Sequence, residues 1–137
     1  MNASQQDTEA LRSFARNIGM AFQIKDDIMD YGQAQIGKPT GIDLQEQKIT
    51  QPLLCALQDA EEKEQADIRA KVARAADEPA LIKEILTFVH NHKGVEKAAQ
   101  VLDRFIGQAQ DQLEKLADTP EKLYLASLAQ FVGAREN

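Results

Sequence analysis

Apolar residues recur three and four apart along most of this chain, and no stretch sustains the alternation of a strand. Leu11, Phe14, Ala15, Ile18 and Phe22 follow that spacing from about Thr8 to Tyr31, which puts them on one side of a long helix. Gly32 to Gly41 comes next, with three glycines and Pro39, and reads as a long loop. A second helix is expected from about Leu44 to Leu57, capped by Asp43 and kinked at Pro52, whose ring removes a backbone donor. Glu61 to Ala76 predicts a polar helix with Ile68 and Val72 as its stripe, and the Glu61-Glu62-Lys63-Glu64 block reads as a solvated face. Asp77 and Pro79 open a helix through Leu81, Ile82, Ile85, Leu86 and Val89 that closes near Gly94. Another runs from Val95 to Ala117. Thr119-Pro120-Glu121 then restarts the chain with a cap, a first-turn proline and an early acid, before a last helix using Leu123, Ala126, Leu128 and Phe131. The prediction is an all-α fold, a helical bundle, with residues 1–137 as a single helical unit.

Composition agrees with helix and narrows the function. The 137 residues are 43% hydrophobic and 28% charged, with no Trp, enough to bury a real core. A net charge of −6 argues against non-specific nucleic-acid binding. It leaves room for an anion site built from a metal and a few lysines. The single cysteine, Cys55, cannot form an intrachain disulfide and is expected to pack as a small apolar residue in a reduced, cytoplasmic setting. No apolar run approaches the roughly 20 residues of a membrane span, and the polar, acidic start lacks a signal-peptide pattern. Met20 and Met29 are expected to pack. His90 and His92 point apart on a helix and suit its negative end better than a metal. Ser127 and Thr50 lack a base partner nearby in sequence, which disfavours nucleophilic catalysis.

The segment Phe22-Gln23-Ile24-Lys25-Asp26-Asp27-Ile28-Met29-Asp30 carries the chemistry. Asp26 and Asp30 are four apart and share a face, Gln23 sits one turn earlier, and Asp27 is about 100° round the axis. Three carboxylates this close repel one another unless a cation joins them. Hard oxygen donors without His or Cys point to Mg²⁺ or Ca²⁺, and the calcium-loop pattern is absent. A solvated acidic face remains the plain alternative for the acidic motif alone. The loop Gly37-Lys38-Pro39-Thr40-Gly41-Ile42-Asp43-Leu44 adds Lys38, and Lys48 follows in the next helix. Lysines so placed can balance a metal-bound diphosphate.

These residues resemble the trans-polyprenyl diphosphate synthases. Phe22-Gln23 followed by Asp26-Asp27-Ile28-Met29-Asp30-Tyr31 is similar to that family's second aspartate-rich motif. Gly37 to Leu44, Lys48-Ile49-Thr50 and Pro52-Leu53-Leu54 are similar to the stretch that follows it, and Gly94-Val95-Glu96-Lys97-Ala98 and a closing helix from Leu123 to Arg135 also fit. Gln47 stands where glycine is common and Gln51 where an apolar residue is usual. The resemblance implies the C-terminal half of the isoprenoid synthase fold and a Mg²⁺-dependent condensation of isopentenyl diphosphate with an allylic prenyl diphosphate. It implies metal binding by Asp26, Asp27 and Asp30, and diphosphate contacts by Gln23, Lys38 and Lys48. A homodimer is the assembly to expect. The first aspartate-rich motif and the basic residues for isopentenyl diphosphate are not in this sequence. The chain therefore reads as a truncated piece that is inactive alone and prone to self-association. The competing readings are a terpene cyclase relative and a non-catalytic subunit or binding module that pairs with a full-length synthase.

Overall fold

The computed structural model describes residues 4–31 and 42–134, leaving out the side chains of residues 43 and 45. Among the described residues the chain forms seven helices and no strand: α1 (Gln5–Tyr31), α2 (Ile42–Gln45), α3 (Gln51–Asp59), α4 (Glu62–Arg74), α5 (Ala80–Asn91), α6 (Gly94–Glu114) and α7 (Pro120–Gly133). None of the described helices is long and apolar enough to cross a membrane.

Capping decides where several helices begin. α1 starts three residues before the expected Thr8 because Ser4 Oγ accepts the Asp7 N–H at 3.1 Å, satisfying an orphan donor of the first turn. α7 begins as expected, with Thr119 Oγ1 accepting the Lys122 N–H at 3.2 Å and Pro120 in the first turn.

The single helix expected from Leu44 to Leu57 is two helices. α2 is one turn long, and Asp43 lies within it rather than ahead of it. Gln47 then takes φ 61, the chain extends through Thr50, and α3 starts at Gln51. Pro52 does not kink a helix here. It occupies the first turn, where its missing donor costs nothing and its fixed φ suits helix entry. A second correction concerns Gly94, which opens α6 instead of closing α5. α5 ends at Asn91, and Lys93 supplies the left-handed residue after it, at φ 54.

The chain packs as two compact units, one of Met1–Lys25 with Gln100–Asn137, the other Asp26–Ala99. The first buries Phe14 and Ile18 of α1, Ile106 and Leu113 of α6, and Ala129 and Val132 of α7. The buried stripe of α1 is Ala10, Phe14, Ile18, Ala21 and Ile24. Part of the stripe read from sequence is a different one: Leu11 and Phe22 are 39% and 59% exposed. Met20 and Met29, expected to pack, are also exposed, because both fall outside the buried stripe. α7 is apolar on both sides, with Leu123, Tyr124 and Phe131 exposed at 72%, 75% and 69%. Lys25 covers part of that face, its Nζ 5.3 Å above the Phe131 ring and 3.3 Å from the Phe131 carbonyl.

The second unit is organised around Leu53 and Leu57 of α3, Ile68 and Val72 of α4, and Ile85 and Val89 of α5. Tyr31, at the end of α1, packs against this cluster. Cys55 is free and buried, as expected, and lies 3.4 Å from Gln51 Nε2.

Candidate functional site

α1 ends in Asp26, Asp27 and Asp30, with no basic residue in its last turn. This is the negative end of the helix dipole, which disfavours a carboxylate in the last turn, where Asp30 lies. Mutual repulsion along the helix adds to that cost. A cation held at this end relieves both.

The three carboxylates are not equivalent. Asp27 is buried, with 8% exposed, and its Oδ2 lies 3.5 Å from the backbone N–H of Gln51, the first residue of α3. Asp30 is half-buried, and its Oδ1 accepts the N–H of Ile42, which opens α2, at 3.1 Å. Asp26 is exposed, and no hydrogen bond or ion pair engages it among the described residues. Two carboxylates are thus oriented by main-chain donors from later segments while the third projects into solvent. Gln23 is exposed one turn earlier on the same helix.

The lysines fall differently. Lys48 belongs to the extended link before α3, not to a helix, and its Nζ lies 2.7 Å from Glu46 Oε2. Lys38 lies outside the described residues. Thr50, at the N-cap of α3, has a buried Oγ1 with no hydrogen-bond partner among the described residues. A buried orphan hydroxyl beside a carboxylate end suits a site that holds a polar ligand. The Gln51 amide was not legible beside Asp27, since main-chain donors leave no trace in residue type, and the sequence reading weighed Thr50 only as a nucleophile.

Among the described residues no three His, Cys, Asp or Glu side chains converge into a cation cage. Mg²⁺ does not need such a cage, since it takes one or two carboxylates and completes its octahedron with water and phosphate.

A second polar cluster lies in the same unit. His92 caps α5 as its helix-end preference suggested, but its partners are carboxylates from other helices. Its Nδ1 lies 3.0 Å from Asp59 Oδ2 and its Nε2 2.9 Å from Glu64 Oε1. Lys97 of α6 reaches the other Asp59 oxygen at 3.1 Å, and the imidazole lies against the Phe88 ring with centroids 4.5 Å apart. The Asp59 hydrogen bond raises the pKa of His92, with Glu64 adding to the effect against partial burial. The His92 hydrogen bond, followed by Lys97, holds the Asp59 carboxyl below its usual range.

The polyprenyl synthetase family model matches residues 1–89, so the chain belongs to the polyprenyl synthetase family. It is 33% identical over 135 residues to the nonaprenyl diphosphate synthase of Mycobacterium tuberculosis, covering 97% of this chain and 40% of that protein. The crystal structure of geranylgeranyl pyrophosphate synthase from Bacteroides thetaiotaomicron superposes with a TM-score of 0.84 at 33% identity, over 98% of this chain and 44% of that one. Geranylgeranyl pyrophosphate synthase from Corynebacterium glutamicum, solved with calcium and isoprenyl diphosphate, gives 0.80 at 29% identity, over 96% and 41%. The all-α fold is therefore that of the prenyl synthases, and the chain spans less than half the length of these relatives.

Proposed function

We propose that this chain is the C-terminal half of a trans-prenyltransferase that condenses isopentenyl diphosphate with an allylic prenyl diphosphate, and that it supplies one metal–diphosphate site of that enzyme. The observation that carries the reading is the acidic end of α1. Two of its carboxylates are oriented by backbone amides, and a third is exposed at the negative end of a helix dipole. Asp26 would bind Mg²⁺ directly, with Asp27 and Asp30 assisting in part through bound water, and the metal would neutralise charge on a departing pyrophosphate.

The protein's own contributions are orientation and charge. Asp27 and Asp30 keep fixed directions because main-chain donors hold one oxygen of each. Gln23, Lys48 and Lys38 would contact the diphosphate oxygens. Phe22 and Met29 leave apolar surface exposed on the same helix, as a ligand with a hydrocarbon tail requires. In the reaction the allylic carbon–oxygen bond breaks, a new carbon–carbon bond forms to isopentenyl diphosphate, a proton leaves, and inorganic pyrophosphate is released. The parent enzyme is read as a cytoplasmic homodimer.

Titration of the 137-residue chain with Mg²⁺ and pyrophosphate together, followed by amide NMR, tests the site. Shifts clustered at residues 23–31 and 48–51, absent with either component alone and lost in Asp26→Asn, are expected. Shifts scattered over the surface, or retained in Asp26→Asn, would overturn the reading. The chain alone is expected to form no elongated prenyl product.

A further inference from the structure

α3 is nine residues long, a rod of about 13 Å. Its two ends are held by different means. At the first turn, α6 approaches so closely that a Cβ built on Gly94 would lie 2.3 Å from the Pro52 carbonyl oxygen, 2.8 Å from Val89 Cγ1 and 3.2 Å from Ala56 Cβ. The nearest of these is backbone, which cannot swing aside as a side chain can. Gly94 is therefore required for its size. At the far end, Asp59 is gripped by His92 at 3.0 Å and Lys97 at 3.1 Å, and His92 also reaches Glu64 of α4. Between the clamps, Leu53, Ala56 and Leu57 are buried to 1% exposure or less. The first amide of this doubly clamped rod faces Asp27.

We propose that α3 is a strut that sets the Asp27 carboxylate, and that Gly94 and His92 are positioning residues for the acidic end of α1. Its consequence for ligand binding rests on the diphosphate reading above. The strut itself rests only on the contacts of α3. The Gln51 N–H is already 3.5 Å from Asp27, at the edge of hydrogen-bond range, so a displacement of the first turn of α3 by a few tenths of an ångström changes how that carboxylate is held. Release of Asp59 lets the rod pivot from its other end.

Amide hydrogen exchange of the whole 137-residue chain, read at Gln51, tests the strut, with calorimetric titration of Mg²⁺ plus pyrophosphate as the second arm. Gly94→Ala and His92→Gln are compared with Val72→Ala, which removes buried volume from α4. Gly94→Ala is expected to speed Gln51 exchange and weaken Mg²⁺–pyrophosphate binding by about tenfold each, and His92→Gln by about threefold. Val72→Ala is expected to lower the unfolding midpoint while Gln51 exchange follows only the global change. Unchanged Gln51 exchange in both positioning variants, or an equal acceleration in Val72→Ala, would overturn the proposal. If Gly94→Ala fails to fold, His92→Gln decides alone, because it replaces a partly buried ring at a helix end and leaves the close approach of Gly94 to α3 intact. If the unaltered chain binds no Mg²⁺–pyrophosphate, the diphosphate reading falls and the exchange arm still decides the strut.

Discussion

His92 Nδ1 lies 3.0 Å from Asp59 Oδ2, so the end of α5 is tied to the end of α3 by a bond that depends on a proton. Both ring nitrogens face carboxylates, and only the imidazolium can donate to both.

This cluster makes stability depend on pH in two directions. The folded pKa of His92 is raised above the ordinary 6.5, so its contribution is complete below 6.5 and is lost as pH rises through the folded value. The folded pKa of Asp59 is lowered below the ordinary 3.8, so its contribution is present above 3.8 and is lost as pH falls through the folded value. The cluster is therefore expected to stabilise most between those two values. Urea midpoints measured from pH 5 to 9 should fall more steeply for the unaltered chain than for His92→Gln. Parallel curves would remove the cluster from the account.

Asp26→Asn should act oppositely with and without ligand. In the absence of metal it removes the like-charge pair that Asp26 makes with Asp30 one turn on, and stability is expected to rise by about 0.2–0.5 kcal/mol. With Mg²⁺ and pyrophosphate added, the unaltered chain gains stability by mass action and the variant does not. Paired urea titrations with and without the two ligands check both signs at once.

Adjacent residues should respond in opposite ways to the smallest side-chain changes. Lys93 sits at φ 54, where a Cβ is disfavoured, and Lys93→Gly is expected to raise stability by about 0.5–1 kcal/mol. Gly94 has no room for a methyl group, and Gly94→Ala is expected to lower stability. Chemical denaturation of the two variants side by side tests the pair, and equal signs would contradict the geometry.

The outer face of α7 should make the isolated chain associate. Leu123, Tyr124 and Phe131 stand exposed together on one side of the helix, and a contiguous apolar patch of this kind marks an interaction surface. Sedimentation velocity is expected to show concentration-dependent association, and Leu123→Glu with Phe131→Glu is expected to return a monomer. A monomer at all concentrations in the unaltered chain would count against it.

Local features were legible in the sequence and remote ones were not. α4, α6 and α7 stand where periodicity and caps put them, because a 3.6-residue stripe and a Thr-Pro start are read within a few residues. The break at residues 46–50 was missed because a proline inside a helix and one in a first turn look alike until the preceding segment is known to leave the helix. Gln47 held a clue: the family resemblance leads one to expect glycine there, and φ 61 is a backbone conformation that glycine adopts most easily. α1 carries two apolar stripes, and periodicity alone does not say which one the core takes. The acidic trio was visible as residue types. Its orienting partners were not, because the amides of Ile42 and Gln51 come from 12 and 24 residues away. The partners of His92 lie 33 and 28 residues back, beyond any local pattern.

The position of Tyr31 has a practical side. The chain has no tryptophan and two tyrosines, Tyr31 next to Asp30 against the second core and Tyr124 exposed on α7. In a Tyr124→Phe background all tyrosine emission would come from Tyr31, one residue past the last carboxylate. Charge arriving at that helix end would then be visible as a change in ultraviolet fluorescence, with no attached dye and no radioactive prenyl donor.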